Sequence, residues 1–377
     1  MKKIVTAVAA IAMAASMFAV DFSATVKVKG DVVYGSGDTV TFFGVENTNQ
    51  KDNDLLEVHF AGDKAGANFK FWTTAKEEVL KVRALNVWFQ PTDWLKVTVG
   101  NNDLGLFTER VNWWKVPCGA SAAEFASWDG RWASGAGVHE NFGFTAELTP
   151  VDGLYIGLGA SSDAITFKNG SDPVMNQMGA VAKYSISDIG LTIGGAFRYT
   201  PTFDLITFGA EYSKDAFFGF VQGKLRLDGS SGAYYKGNKD ELKLAGITID
   251  NYFSYNFGFM SLAATFPVTI RGLLNADDKS DPTYMTARVK ATIPVDAITL
   301  YAVIGSDEGF NNGPAASKAS TVWTLNDKFG DNFNFYGNVG ATFNVGVCAL
   351  DVGFEMSYDK PADNFAWAIP FSAQVAF

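Results

Sequence analysis

The chain has 377 residues, of which 47% are apolar, 14% aromatic and only 19% charged, with 38 glycines and a formal net charge of −10. The acidic balance argues against nucleic acid as a partner, and two cysteines, Cys118 and Cys348, are too few for a disulfide framework at this length. Richness in aromatics, Gly, Thr, Val and Asn favours strands and turns over helices, and all-β is the expected class.

Met1-Lys2-Lys3 followed by the apolar run Ile4 to Phe18 has the basic start and short apolar core of a secretory signal peptide. The run is short for a membrane anchor. Residues 1–19 are assigned to the signal, with cleavage between 14 and 24, and 20–377 to a single domain. Beyond it no stretch of eighteen apolar residues occurs, so no helical span is expected.

From residue 23 onward, segments with a period of two follow one another. They predict strands at 24–45, 55–62, 67–74, 81–90, 94–102, 137–149, 153–161, 176–185, 190–200, 203–213, 216–228, 241–254, 258–270, 283–293, 297–305, 333–344, 348–358 and 365–377. In 348–358, for example, Leu350, Val352, Phe354, Met356 and Tyr358 oppose Asp351, Gly353, Glu355 and Ser357. The tight connections share a grammar, as in Pro91-Thr92-Asp93-Trp94-Leu95, Pro150-Val151-Asp152-Gly153-Leu154 and Pro294-Val295-Asp296-Ala297-Ile298. Longer polar loops at 46–54, 103–136, 162–175, 229–240, 272–282 and 306–319 alternate with them. Short turns on one rim, long loops on the other and strands of about ten residues describe a transmembrane antiparallel up-and-down β-barrel, here of about 16–18 strands. The short rim is then periplasmic and the long loops extracellular.

The last strand alternates Phe365, Trp367, Ile369, Phe371, Ala373, Val375 and Phe377 against small or polar residues. Lipid offers no partner to backbone groups, so this strand must pair with the first and leave no edge. Pro370 removes one ladder bond, and a bulge is expected there. Cys348 falls in the outward phase while Cys118 lies in the longest loop, so two free thiols are expected.

A signal-type N-terminus, alternating strands, short turns and a terminal strand ending in Phe377 together resemble bacterial outer-membrane β-barrels of the porin type. The resemblance covers 20–377 as pattern. It implies localisation in the bacterial cell outer membrane among its lipids, insertion by the barrel assembly machinery reading the last strand, a homotrimer, and a loop between strands five and six that folds into the channel. Loop 103–136 holds that place and carries Phe107, Glu109, Arg110, Trp113, Trp114, Glu124, Phe125, Trp128, Asp129, Arg131 and Trp132. So many aromatics are not expected to stand free in water. The Pro-Glu-Phe-Gly-Gly stretch common in such loops is replaced by Ala122-Ala123-Glu124-Phe125-Ala126.

Charges in the inward phase are candidate pore-lining residues: basic Lys183, Arg198, Lys224, Arg226, Arg288 and Lys290, and acidic Glu147, Glu211, Asp351 and Glu355. A Lys or Arg facing lipid near the midplane would cost on the order of 2–4 kcal/mol. Opposed rows of charge across a narrow pore would sort solutes by size and sign. No elbow, phosphate loop or zinc motif points to catalysis, and no cofactor or metal is expected. The expected function is passive diffusion of small hydrophilic solutes and ions through a water-filled channel. The alternatives are a sugar-selective channel using Trp113, Trp114, Trp128 and Trp132, or a surface adhesin or ligand-binding barrel acting through its outer loops.

Overall fold

A computed structural model describes residues 21–44, 54–74, 77–102, 104–107, 143–161, 165–166, 174–175, 177–200, 203–228, 243–271, 283–310, 333–359 and 363–377. Among these residues an antiparallel sheet of 18 wall strands closes on itself. In chain order the strands are β1 (Asp21–Ser36), β2 (Thr39–Gly44 and Asp54–Ala61), β3 (Ala65–Thr74), β4 (Glu77–Thr92), β5 (Leu95–Gly100) and β6 (Gly143–Leu148). There follow β7 (Leu154–Ser161), β8 (Met178–Ile186), β9 (Leu191–Tyr199), β10 (Phe203–Lys214), β11 (Phe217–Asp228) and β12 (Lys243–Asn256). The wall ends with β13 (Ser261–Thr265 and Val268–Arg271), β14 (Thr283–Val295), β15 (Ile298–Phe310), β16 (Phe333–Val345), β17 (Cys348–Asp359) and β18 (Asn364–Ala376). Each strand pairs with its neighbours in sequence, and β18 returns to β1 from Thr25↔Ala376 to Ser36↔Ala366.

Alternation divides every strand between two environments. One phase carries exposed apolar side chains, among them Val87, Phe89, Phe144, Leu158, Phe208, Ile249, Ile304 and Val339. The other carries buried polar ones: Thr98, Thr145, Gln222, Lys224, Asp250, Arg288 and Glu355. A continuous apolar belt outside a polar inner face is the inverse of a soluble protein, and it is stable only against lipid. Each large apolar side chain moved from water into hydrocarbon contributes roughly 1.5–3 kcal/mol.

The rim at which β1 begins and β18 ends has only short connections among the described residues. They include Gly62–Lys64, Asp93–Trp94, Ser187–Gly190, Asp215–Ala216, Asp296–Ala297 and Gly346–Val347. Asp215 and Asp296 take positive φ values of 55° and 50°, the conformation that Asp and Gly tolerate best in two-residue hairpins.

The first hairpin differs from the expected strand at 24–45. The chain reverses at Gly37–Asp38, with Gly37 at φ 54°, so β1 ends at Ser36 and residues 39–44 run back beside it. Thr39–Gly44 and Asp54–Ala61 both pair with β1, so the expected strand at 55–62 is the continuation of 39–44 and not the next strand after 24–45. The opposite rim also has short connections, at 37–38 and 200–202, so the expected strict alternation of short and long loops does not hold.

The break expected at Pro370 is present: the register shifts between Asp31 and Val33, opposite Pro370 and Ile369. A second break lies in β13, at Phe266-Pro267. There the Asn251 side chain takes over the ladder, donating to Phe266 O and accepting from Phe266 N–H, both at 2.8 Å. Thr265 Oγ1 donates to Asn251 O at 2.5 Å.

Candidate functional site: the lumen wall and the root of its longest loop

The loop after β5 begins with a forced change of direction. Gly100 has φ 111°, and a Cβ there would collide with the carbonyl of Leu85. No side chain fits this position. Asn101 N–H donates to Leu85 O at 3.0 Å, the Asn86 amide donates to Asn101 O at 2.8 Å, and the Asn102 amide donates to Thr145 Oγ1 at 2.7 Å.

From this root the chain turns to the inner face. Leu104, Leu106 and Phe107 form one buried cluster with Val181 of β8, Ala196 of β9 and Phe220 of β11, and Leu106 is 0% exposed. Phe107 stacks on Phe220, with ring centroids 6.2 Å apart, and the partly buried Tyr155, Phe218 and Tyr252 border the cluster. Val181 shares its phase with Lys183, and Phe220 shares its phase with Gln222 and Lys224, whereas the exposed Tyr184 and Val221 take the opposite phase. Leu104 to Phe107 therefore lie inside the barrel. Small residues make the room: the Leu104 and Leu106 methyl carbons sit over Gly157 and Gly194. Glu109, Arg110, Trp113, Trp114, Glu124, Trp128, Asp129, Arg131 and Trp132 lie outside the described residues, as does Cys118. Cys348 is a free thiol.

The candidate wall charges fall into two groups. On β5 to β11, Glu147 accepts from Tyr155 Oη at 3.2 Å and pairs with Lys96 at 3.1 Å. Lys183 Nζ lies 4.7 Å from the centre of the Tyr155 ring. Arg198, Glu211 and Arg226 are half-buried in the same inward phase. Lys224 and Asp250 form a buried ion pair at 2.5 Å, their side chains 1% and 2% exposed, with Gln222 Nε2 donating to Asp250 at 3.4 Å.

On β14 to β17, Arg288 Nε donates to Tyr336 Oη, and the guanidinium carbon is 5.4 Å from that ring. Lys290 lies 6.0 Å from the Tyr301 ring. Tyr301 Oη and Thr342 Oγ1 both donate to Asp351, at 2.9 and 2.8 Å, and Asn338 Nδ2 donates to Glu355 at 2.6 Å. The candidate charges Glu147 and Lys224 form their ion pairs with neighbouring strands, β6 with β5 and β11 with β12. A buried charge needs a partner within hydrogen-bonding reach, and in a wall of this geometry the adjacent strand supplies it.

Phase reasoning over charges missed several inward groups. Glu57 and Lys70 form an ion pair between β2 and β3, and Lys96 and Asp250 each hold one of the candidate charges. It also missed an uncharged row of His59, Asn68 and Asn86 that runs across β2, β3 and β4 to the loop root. The inward phase of these residues was readable, but a search confined to charges passes over amides. A depression of about 700 Å³ between Tyr184, Ile193, Phe208, Ala210 and Val221 opens on the apolar outer face and is no part of the lumen.

No protein-family profile and no curated protein sequence matches the chain. Solved structures do match in fold. The outer membrane protein OpdK of Pseudomonas aeruginosa superposes with a TM-score of 0.54 at 9% identity, covering 95% of this chain and 99% of that one. OprD of the same organism gives 0.53 at 8% identity, covering 95% of each chain. OccK2 (OpdF) of P. aeruginosa, solved in complex with glucuronate, gives 0.55 at 10% identity, covering 95% of this chain and 98% of that one. The chain is similar to these porin-type barrels in architecture over almost its whole length.

Proposed function

We propose that this porin-type barrel is a channel of the bacterial outer membrane, passing small hydrophilic solutes and ions down their gradients. The observation that carries the reading is the position of Leu104 to Phe107 against the inner wall at Val181, Ala196 and Phe220. A loop that starts inside the lumen narrows it, and a narrowed polar lumen sorts solutes by size and charge. The apolar outer belt supports placement in lipid, and the fold it shares with outer-membrane barrels supports the outer membrane. Passive passage needs no cofactor or energy source, and catalysis is no part of the reading. Export by residues 1–19, insertion through the strand ending in Phe377 and assembly as a homotrimer belong to the same reading.

The candidate constriction is the loop rooted at Asn101, with Lys183, Arg198, Lys224, Arg226, Arg288, Lys290, Glu147, Glu211, Asp351 and Glu355 lining the path around it. Selectivity for anionic sugars is a narrower form of the reading, suggested by the OccK2 complex with glucuronate. Liposomes carrying the refolded protein test both forms. Swelling rates should fall steeply with the size of neutral sugars, and a selective channel would pass a sugar acid faster than a neutral sugar of equal size. Liposomes that never swell, with a correctly folded barrel, would move the function to the outer loops.

A further inference from the structure

His59, Asn68 and Asn86 stand directly opposite one another in the registers of β2, β3 and β4. Their side chains form one hydrogen-bonded line: His59 Nδ1 to Asn68 Oδ1 at 2.7 Å, Asn68 Nδ2 to Asn86 Oδ1 at 2.7 Å, and Asn86 Nδ2 to Asn101 O at 2.8 Å. The direction of the line is set at its last member. Asn101 O is a carbonyl and can only accept, so Asn86 must present its NH₂ group there. The Asn86 oxygen then accepts from Asn68, the Asn68 oxygen accepts from His59, and the proton must sit on His59 Nδ1. His59 Nε2 is left facing Glu57 at 3.9 Å. Every group in the line is satisfied in one sense only, and each bond polarises the next.

The line ends where the loop leaves the wall. Asn101 is held on one side by Leu85 O and the Asn86 amide, both from β4, and Asn102 is held on the other side by Thr145 of β6. Gly100 supplies the turn between them. Three bonds to two flanking strands thus fix the heading of residues 100–102, and two residues after Asn102 the run Leu104 to Phe107 reaches the inner wall. The bonds from side chains use only neutral amides, so the root is secured without placing a charge in the lumen.

We propose that Asn86 and Asn102 are positioning residues of the constriction, and that the His59–Asn68–Asn86 line exists to hold the Asn101 carbonyl and so aim Leu104 to Phe107 at the inner wall. This rests on the channel reading above.

Asn86→Asp is the same shape but, ionised, has no donor for Asn101 O; protonated, it regains one. The test uses full-length protein with Cys118→Ser and Cys348→Ser, and the reporter pair Leu106→Cys with Ala196→Cys, both members of the buried cluster. With an added thiol oxidant and each rate taken relative to the parent at the same pH, disulfide formation at neutral pH should be about fivefold slower in Asn86→Asp, the weight of one hydrogen bond, and the open-channel current should flicker. Both should recover in acid, whereas Asn86→Ala should stay slow at either pH. Crosslinking in Asn86→Asp that equals the parent's at both pH values overturns the proposal. If Asn86→Asp does not assemble, Thr145→Val removes the acceptor of Asn102 and should slow crosslinking similarly; parent-like crosslinking there also overturns it. A parent that crosslinks but never conducts would sink the channel reading, while the crosslinking result would still decide the positioning of the loop.

Discussion

Ala24 and Phe377 exchange both of their backbone hydrogen bonds: Phe377 N–H donates to Ala24 O at 2.8 Å, and Ala24 N–H donates to Phe377 O at 3.1 Å. The last residue of the chain is therefore locked to the first strand. This is the seam that leaves the wall without an edge, and lipid tolerates no edge.

An aromatic contact reinforces the seam outside its ladder. Trp367 lies directly opposite Gly35, where a Cβ would meet the indole, and it stacks on Phe354 with ring centroids 6.4 Å apart. An aromatic laid over a glycine of the next strand recovers the packing that the glycine lacks. Trp367→Ala should lower the stability of the lipid-embedded barrel by roughly 1.5–3 kcal/mol, read from urea unfolding followed by fluorescence. An unchanged midpoint would show that the backbone ladder alone holds the seam.

Asn251 should be worth more than an average wall amide. It completes both backbone groups of Phe266 beside Pro267, which cannot donate. Asn251→Ala should cost roughly 1–3 kcal/mol because a donor and an acceptor lose their partner where water is scarce. Asn251→Asp should retain the bond to Phe266 N–H but set an unpaired charge against Phe266 O, giving a larger loss than Asn251→Ala. Hydrogen exchange at Phe266 N–H distinguishes the two.

The Lys224–Asp250 pair is expected to be costly to break and cheap to replace. Lys224→Met or Asp250→Leu alone strands the other charge in the wall and should cost about 3–5 kcal/mol, whereas the double variant should lie near the parent. A double-mutant cycle in urea unfolding measures this. Additive losses would mean that each group is held by other neighbours.

At the short-turn rim, Lys64 pairs with Asp93 at 2.6 Å in full exposure, and its hydrogen bond and charge hold the Asp93 carboxyl below the usual carboxylate range. A depressed carboxyl contributes stability above its unfolded pKa and loses it as pH falls through the folded value. Lys64→Met should return Asp93 to the ordinary range in an NMR titration, with only a small, salt-sensitive effect on stability. An unmoved titration would assign the depression to another cause.

The barrel was legible because alternation and turn chemistry are local. The strand count came out right through two compensating errors. Gly37-Asp38 sits inside a run whose alternation continues on both sides, so the reversal was hidden, and the polar stretch 45–53 has the composition of a rim loop although the segments before and after it pair with the same strand, β1. Inward phase was legible for Lys224, Arg288 and Glu355, but their partners were not. A partner depends on register, and register depends on where the turns fall. The inward course of Leu104 to Phe107 was expected only from the place of loop 103–136 in the chain and the resemblance it carries, because a few apolar residues after a strand look the same whether they pack inside a lumen or over a rim.

Single-channel conductance of the refolded protein in a planar bilayer, in several salts and with added sugars, tests the central claim most directly. Discrete, stable steps are expected, with a larger step when residues 108–138 are replaced by a short linker and the wall is otherwise intact. A folded barrel that never conducts, or one whose step is indifferent to that loop, would contradict the account of a channel narrowed from the root at Asn101.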